Sequence, residues 1–279
     1  MRVIRKSGGL SVQAVAGTYV VAFGMNLPEA DCQNLLGFSI HRTDHTENEA
    51  SYLTAMKAFA ATDPGFPPGA QYSTEQHPVQ SFQWADYSAK PGHAYTYRIL
   101  ARKGSPQALT THAEVVLKIT TESPENGTHD IYFNRGLAAS QEYVRRFGDR
   151  RPEDVGGKED YLGNPAFVWL SRGLYEALVA FVESADPVRE SLRVAAYEFA
   201  FAPFLTVLKA AVDRGVDIKI VYDGREKDGG APGVPNRAAV AAAGLSSVSV
   251  ERTKPKSSIS HNKFIVKLRD GQPVSVWTG

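Results

Sequence analysis

The spacing of hydrophobic and polar residues changes near residue 120, and the two sides of that point predict different folds. Before it, short apolar runs alternate with polar positions and are interrupted by glycine, proline, aspartate and asparagine. Alternation with a period of two is the pattern of half-buried strands, and several short strands without a long helix predict an antiparallel β-sandwich. The predicted strands are 12–15, 19–23, 37–42, 80–84, 94–101 and 114–119, and 50–60 is compatible with a short inserted helix.

Beyond residue 130 the apolar spacing becomes helical in several segments. Phe204, Leu205 and Leu208 belong to a run with intervals of three or four residues that predicts a helix over 202–214. Gly215 follows, as glycine commonly does where a helix ends. The predicted strands of this region are 191–199, 216–223 and 248–251. Because a strand, a helix and a strand in succession form a βαβ unit, we predict an α/β domain with a mixed sheet flanked by helices.

Two more helices and one irregular stretch complete this region. Asn164-Pro165 places a good N-cap before a proline suited to the first helical turn, so a helix is predicted from there to about residue 184. A short alanine-rich helix is predicted at 235–243. Residues 131–163 have no clear period and are predicted to be loop-like.

The stretch 121–128 reads Thr-Glu-Ser-Pro-Glu-Asn-Gly-Thr, a polar composition typical of a linker. We therefore predict a β-sandwich domain at 8–120, a linker at 121–130 and an α/β domain at 131–279. The length of 279 residues accommodates two medium domains.

Composition sets few limits on the partners of this protein. The 31 basic and 30 acidic residues give a formal net charge of +1, which by itself demands neither nucleic acid nor a membrane. Cys32 is the one cysteine, so an intrachain disulfide is excluded and a reducing compartment fits. The apolar stretch 10–25 is broken by Gln13 and Gly17, unlike a signal peptide. With no apolar run of about 18 residues, we expect no transmembrane segment and a cytoplasmic location.

His261-Asn262-Lys263, just before an apolar strand, is the segment with the clearest chemical potential. Side chains two residues apart on an extended segment point to the same face. An imidazole can act as a nucleophile or proton carrier near neutral pH, and a lysine cation suits a phosphate oxygen. The three-residue pattern alone is weak, and its plain alternative is a solvated surface strand. A turn and a second apolar strand, ending at Thr278-Gly279, follow it.

In this setting the segment resembles the phospholipase D superfamily. The repeated signature of that family is His-x-Lys, four spacers and Asp, then Gly-Ser or Gly-Gly followed by Asn. His261 and Lys263 match its first half, and Gly279 lies where the glycine is expected. The resemblance extends over about 131–279, corresponds to the first repeat only, and breaks off within the motif.

The sequence differs from the signature at the position of the acid. Its position holds Leu268, and the nearest acid is Asp270. Asp270-Gly271 between two apolar strands is also a strong signal for a two-residue hairpin turn. Asp270 is therefore a candidate for the acid of the family, with turn residue as the alternative.

The resemblance implies cleavage or transfer of a phosphodiester through a phosphohistidine. His261 is the implied nucleophile and Lys263 the implied cation at a non-bridging oxygen, with no cofactor. The substrate class stays open between a phospholipid, a nucleic acid and a small diester. A second His-x-Lys motif is expected from a C-terminal half beyond Gly279 or from a second copy. The isolated chain is then expected to be inactive as a monomer and prone to self-association.

The first region carries a resemblance of its own. Lys90-Pro91-Gly92 is a turn sequence, and Tyr95, Tyr97 and Ile99 alternate after it. This run resembles the fibronectin type III strand that carries the tyrosine corner. It implies that the predicted sandwich is fibronectin type III-like.

Several residues keep two interpretations. Glu198 and Asp223 end predicted strands, where ligands gather in open α/β sheets, but either could be a solvated strand-end acid. The basic segment 254–258 either attracts an anionic substrate or is merely solvated. The six histidines other than His261 lack cysteine or acid partners at metal-ligand spacing, so no metal site is predicted. The alternative function is a non-catalytic binding or scaffold protein with an incomplete phospholipase D-like domain.

Overall fold

The structure is a computed structural model in which two compact units are resolved, Met1–Tyr132 and Phe133–Gly279. The first unit is built from antiparallel strands and the second is α/β, as the change of sequence pattern predicts. The residues that it describes are 1–63, 65, 67, 69–125, 127–136, 140–156, 161–226, 232–254 and 260–279.

The first unit contains two four-stranded antiparallel sheets. Its elements are β1 (Arg2–Ser7), β2 (Leu10–Ala16), β3 (Val21–Asn26), α1 (Glu29–Cys32), β4 (Gly37–Asp44), β5 (Glu49–Tyr52), β6 (Thr54–Ala55), β7 (Tyr72–Ser73), β8 (Gln83–Asp86), β9 (Ala94–Ser105) and β10 (Ala108–Thr120). One sheet has the order β1-β2-β3-β8 and the other β10-β9-β4-β5, while β6 and β7 pair separately. The predicted antiparallel β architecture is present.

Alternate side chains from both sheets join a single apolar core. Val12, Ile40 and Tyr97, on three different strands, are completely buried in it. The backbone N–H of Lys90 donates a hydrogen bond of 2.9 Å to the hydroxyl of Tyr95, which closes the turn before β9. Burial raises the pKa of that hydroxyl to about 12, so Tyr95 acts as a neutral anchor at physiological pH.

The sequence pattern missed two features of this unit. β1 lies before the predicted start of the sandwich, and Val3 is its one buried residue, so the strand has no apolar alternation to reveal it. A helix at 50–60 does not form. Two short strands, β5 (Glu49–Tyr52) and β6 (Thr54–Ala55), occupy this stretch instead. Leu53 between them donates its N–H to the carbonyl of Ile40 at 2.8 Å.

The second unit is a five-stranded mixed sheet with helices. Its elements are α2 (Gln141–Phe147), α3 (Pro152–Gly156), α4 (Pro165–Ser171), α5 (Leu174–Glu183), β11 (Glu190–Ala196), α6 (Ala202–Asp213), β12 (Asp217–Asp223), α7 (Gly233–Ala242), β13 (Ser249–Arg252), β14 (Lys263–Arg269) and β15 (Gln272–Thr278). The strand order is β13-β12-β11-β14-β15. β11, β12 and β13 are parallel, whereas β14 runs antiparallel to both of its neighbours.

One face of this sheet forms the core of the unit. Leu192, Ile218 and Ile265, on three neighbouring strands, are nearly or fully buried there. Leu205 and Leu208 on α6 belong to the same cluster and are also buried. The helical spacing seen in the sequence is therefore the stripe that covers this sheet.

The predicted helix at 164–184 is wrong as a single element. Asn164 does cap a helix, since its side-chain oxygen accepts from the N–H groups of Ala166 and Phe167 at 2.9 and 3.2 Å. The chain then turns at Arg172 and Gly173, which have φ angles of 52° and 89°, and starts α5 afresh. No single helix within the described ranges is long and apolar enough to cross a membrane. α4 and α5 reach that length and hydropathy only when they are counted together, and they are bent by 88° relative to each other.

The prediction that 131–163 is loop-like is also corrected. The structure has two short helices there, α2 and α3. Ser140 caps α2 by accepting a hydrogen bond of 3.2 Å from the N–H of Tyr143. Tyr143 is 1% exposed and its hydroxyl donates to the carbonyl of Arg150 at 2.9 Å. A buried tyrosine with a hydrogen-bonded hydroxyl holds this segment without a long apolar period.

The division between the units lies after Tyr132, beyond the predicted linker. Glu122 is fixed to the first unit because its N–H donates to the carbonyl of Gly17 at 3.1 Å. Glu125 is exposed and begins a loop that the Tyr132 hydroxyl closes at 3.1 Å.

A protease specific for glutamate is therefore expected to cut first after Glu125. Anchored backbone resists the local opening that cleavage requires, so Glu122 should be cut later. Mass spectrometry of a digestion time course should show two protected pieces, and a Glu125→Gln variant should delay their appearance. A single resistant core that includes residues 121–132 would show that the two units are not separable.

Candidate functional site

The candidate site lies at the edge of the second sheet where its parallel strands end. β11 ends at Ala196 and β12 at Asp223. Because these strands are parallel, their C-terminal ends lie at the same edge of the sheet. β14 runs the other way, so its first residue, Lys263, pairs with Ala196 at the same edge. The fold thus delivers the His-x-Lys segment to the place where open α/β sheets bind their ligands.

His261 and Lys263 lie side by side and exposed at this edge. The ammonium nitrogen of Lys263 is 3.0 Å from both ring nitrogens of His261. The spacing of two residues predicts that these side chains share one face, and the structure places them together. The pairing of Lys263 with Ala196 fixes the backbone at this point. A ring nitrogen and a fixed cation at this separation can contact the same phosphoryl group, one at phosphorus and the other at an oxygen.

Tyr197, the residue after β11, forms one side of the pair. Its ring centroid is 5.0 Å from that of His261 and 5.5 Å from the Lys263 ammonium nitrogen. The second distance is within the range of a cation–π contact, which attracts the ammonium group towards the ring face. The sequence pattern places Tyr197 only within the predicted strand 191–199, because nothing local shows which side chains it contacts.

Asp223 is buried, which excludes the interpretation of a solvated strand-end acid. Its carboxylate accepts from the backbone N–H of Arg225 and from the side-chain Nε of Arg225, both at 2.9 Å. It also accepts from the backbone N–H of Ser260 at 3.1 Å. Burial alone would raise its pKa, but these hydrogen bonds and the charge of Arg225 together hold the pKa of Asp223 below its usual range. Asp223 therefore stays ionised and joins the end of β12 to the residue before His261.

Asn236 on α7 ties two strand ends together. Its amide nitrogen donates to the carbonyls of Tyr197 and Asp223 at 2.7 and 2.9 Å. Its amide oxygen accepts from the N–H of Phe199 at 2.6 Å. Asn236 is 1% exposed, and it satisfies backbone groups that would otherwise be buried without partners. Its position in an alanine-rich helix gave no sequence signal of this role.

Asp270 lies at the other end of β14, away from His261 and Lys263. Seven residues of strand separate the two ends, a length of roughly 23 Å. Asp270 has a φ of 50° in the turn to β15, and it forms an ion pair with Arg189. The structure therefore places Asp270 in the hairpin turn and not beside the candidate pair. Glu198 is exposed at the edge that carries the pair.

Two further expectations concern this edge. No group of three or more metal-binding side chains occurs within the described parts of the chain. Of the basic segment 254–258, residues 255–258 lie outside the described residues. Among the described residues, this edge brings together an imidazole, an ammonium group and an aromatic ring, backed by a buried acid.

One family model covers this edge of the sheet. A family model described as "Cardiolipin synthase, PLD-like domain" matches residues 178–278. Among solved structures, a phospholipase D family member, Nuc from Salmonella typhimurium, is 31% identical over 35% of this chain, with a TM-score of 0.26. The matched part spans 57% of that chain. No curated protein sequence matched. The family match supports a phospholipase D-like domain in the second unit, over a range that contains all five strands, His261 and Lys263.

Proposed function

We propose that this protein is a phosphodiesterase of the phospholipase D type that works through a phosphohistidine. The observation that carries the proposal is the contact of His261 with Lys263 at the strand-end edge, within the range that matches the family model. His261 is the nucleophile and Lys263 holds a non-bridging oxygen. The substrate is a phosphodiester, whether a phospholipid, a nucleic acid or a small diester.

The reaction has two displacements at phosphorus. A ring nitrogen of His261 attacks, a P–N bond forms, and the P–O bond to the leaving group breaks. The leaving oxygen takes a proton from a second histidine. That histidine then removes a proton from water or an alcohol, which attacks phosphorus and breaks the P–N bond. Lys263 stabilises the negative charge that builds on oxygen in each step, and dividing one displacement into two lowers each barrier.

The second histidine belongs, in this proposal, to another His-x-Lys motif. It comes from a further part of a longer chain or from a second copy of this one. Within residues 133–279 the sequence contains His261 as its one histidine, so the second unit by itself supplies half of the site.

The first unit is proposed to be fibronectin type III-like. The hydrogen bond from the Lys90 N–H to the Tyr95 hydroxyl supports this, because it has the form of a tyrosine corner. A unit of this kind fits a binding or spacing role.

A second candidate function is a non-catalytic binding or scaffold protein. Its support is the departure at the acid of the motif: Leu268 occupies that position, and Asp270 lies in the far turn. In that case the second unit keeps the fold without turnover.

A substrate panel distinguishes the two functions. Phosphatidylcholine vesicles, single-stranded and duplex DNA, and bis(p-nitrophenyl) phosphate should be tested in the presence of a chelator, both for this chain and for any longer form that supplies a second motif. From the form that supplies both motifs we expect turnover of at least one diester in chelator and a covalent adduct on His261 that is labile in acid and stable in base. Absence of both turnover and adduct in a form that supplies both motifs favours the binding role, and a strict requirement for a divalent metal excludes the proposed chemistry.

A further inference from the structure

A buried ion pair at the end of β12 has no part in the displacement steps. Asp223 is completely buried and Arg225 is 7% exposed. Buried charges of this kind are costly to desolvate and are seldom a net gain in stability. The other contacts of the Asp223 carboxylate therefore indicate what the pair does.

The carboxylate connects three segments of the chain. One oxygen accepts from the Arg225 N–H, while the other accepts from the N–H of Ser260 at 3.1 Å. The Arg225 Nε lies 2.9 Å from each oxygen, which fixes the plane of the group. Arg252, at the end of β13, has a nitrogen 3.8 Å from the same carboxylate.

The contact with Ser260 is one of two anchors that flank His261. The second is Lys263, which enters the β14 ladder opposite Ala196 and accepts at its carbonyl from the Gly279 N–H at 3.2 Å. Between these anchors lie His261 and Asn262 alone. A chain held at points three residues apart has little freedom, so the position of the imidazole depends on both anchors.

We propose that Asp223, oriented by Arg225, is a positioning residue that holds the backbone of the His261 segment ready for attack on a phosphodiester. The part of this inference that concerns catalysis rests on the proposed function, whereas the part that concerns the backbone does not. Misplacing a reacting group by about 1 Å can lower a rate roughly 100-fold.

An asparagine at position 223 tests the role with little change of shape. A carboxylate accepts on both oxygens, whereas an amide presents a donor on one side. That donor must face either the N–H of Ser260 or the backbone N–H of Arg225, so one of these two hydrogen bonds is lost. Asp217 gives a matched control, because Asp217→Asn is the same substitution on the same strand at its other end. Its side chain is exposed and pairs with Arg193.

The experiment measures hydrogen exchange of the backbone amides together with kcat and KM. Asp223→Asn is expected to speed exchange of the Ser260 amide at least about 10-fold while the amide of Leu208 on α6 stays protected. We expect kcat to fall about 10- to 100-fold with KM within about threefold, and Asp217→Asn to change neither. The double variant Asp223→Leu/Arg225→Met removes both charges and leaves the Ser260 N–H without this acceptor. It is expected to give the same local loss of protection whichever way the amide of the Asp223→Asn variant faces, and also if Asp223→Asn fails to fold.

The outcomes separate this inference from the proposed function. Unchanged Ser260 exchange in the folded double variant, which lacks the acceptor, overturns the inference, whatever the activity. Faster Ser260 exchange with kcat unchanged overturns the catalytic part. If a form that supplies both His-x-Lys motifs turns over no diester, the proposed function fails, and the exchange result alone decides whether Asp223 holds the segment.

Discussion

Replacing His261 by alanine is expected to lower kcat at least about 1000-fold in a protein or assembly that supplies both His-x-Lys motifs. The reason is that the covalent route needs a nucleophile at this position, and an alanine offers none. Lys263 and substrate binding remain, so KM should change little. The measurement is steady-state turnover of the best diester from the panel, with adduct formation followed in parallel.

Stability should be unaffected by the same change. His261 is exposed, and substitutions at such positions usually alter the free energy of unfolding by less than about 0.5 kcal/mol. His45→Ala is the control, since His45 is exposed in the first unit and contacts Thr96 there. Turnover of His261→Ala within about threefold of wild type would mean that the nucleophile lies elsewhere.

The elements that the sequence predicts best are those with a regular apolar period. α6 was expected at 202–214 and spans Ala202–Asp213, because its buried stripe repeats without interruption. The turn at Asp270-Gly271 is predicted equally well, because a turn with positive φ angles at two successive residues favours this dipeptide. In both cases the information is local, so a short window of sequence contains it.

The break between α4 and α5 shows what such a window misses. Apolar residues continue on both sides of Arg172-Gly173, so the helical period alone predicts one helix. Gly173 is the one available signal, because a glycine within a helical pattern lowers its stability. Arg172 also adopts a left-handed conformation, which the local pattern does not predict.

The candidate site divides in the same way. His261 and Lys263 could be identified because the pattern is local and its strand follows directly. Asp223 and Asn236 could not be assigned roles, because they act on residues 37 and 39 positions away, Ser260 and Tyr197. Such contacts exist only when the parallel strands bring their ends to one edge.

The tight packing behind this edge leads to the second large expected effect, at Gly233. Gly233 is the first residue of α7. By helix propensity alone, an alanine there would raise the free energy of unfolding by up to about 1 kcal/mol. A Cβ at Gly233, however, would lie 2.5 Å from the carbonyl oxygen of Arg225 and 2.6 Å from that of Gly224. Both contacts are with backbone, so the chain itself must move. Overpacking of this kind costs about 1 to 3 kcal/mol, which exceeds the gain in propensity.

Gly233→Ala is therefore expected to destabilise the second unit by about 1 to 2 kcal/mol, measured by urea unfolding. Gly24→Ala is the control, because a Cβ there meets no atom within 4 Å and the strand should keep or gain stability. The added Cβ would displace the backbone of Arg225, and Arg225 orients Asp223. The same variant should thus speed exchange of the Ser260 amide, whereas a stabilised second unit with unchanged Ser260 exchange would show that the close approach of α7 has no bearing on the site.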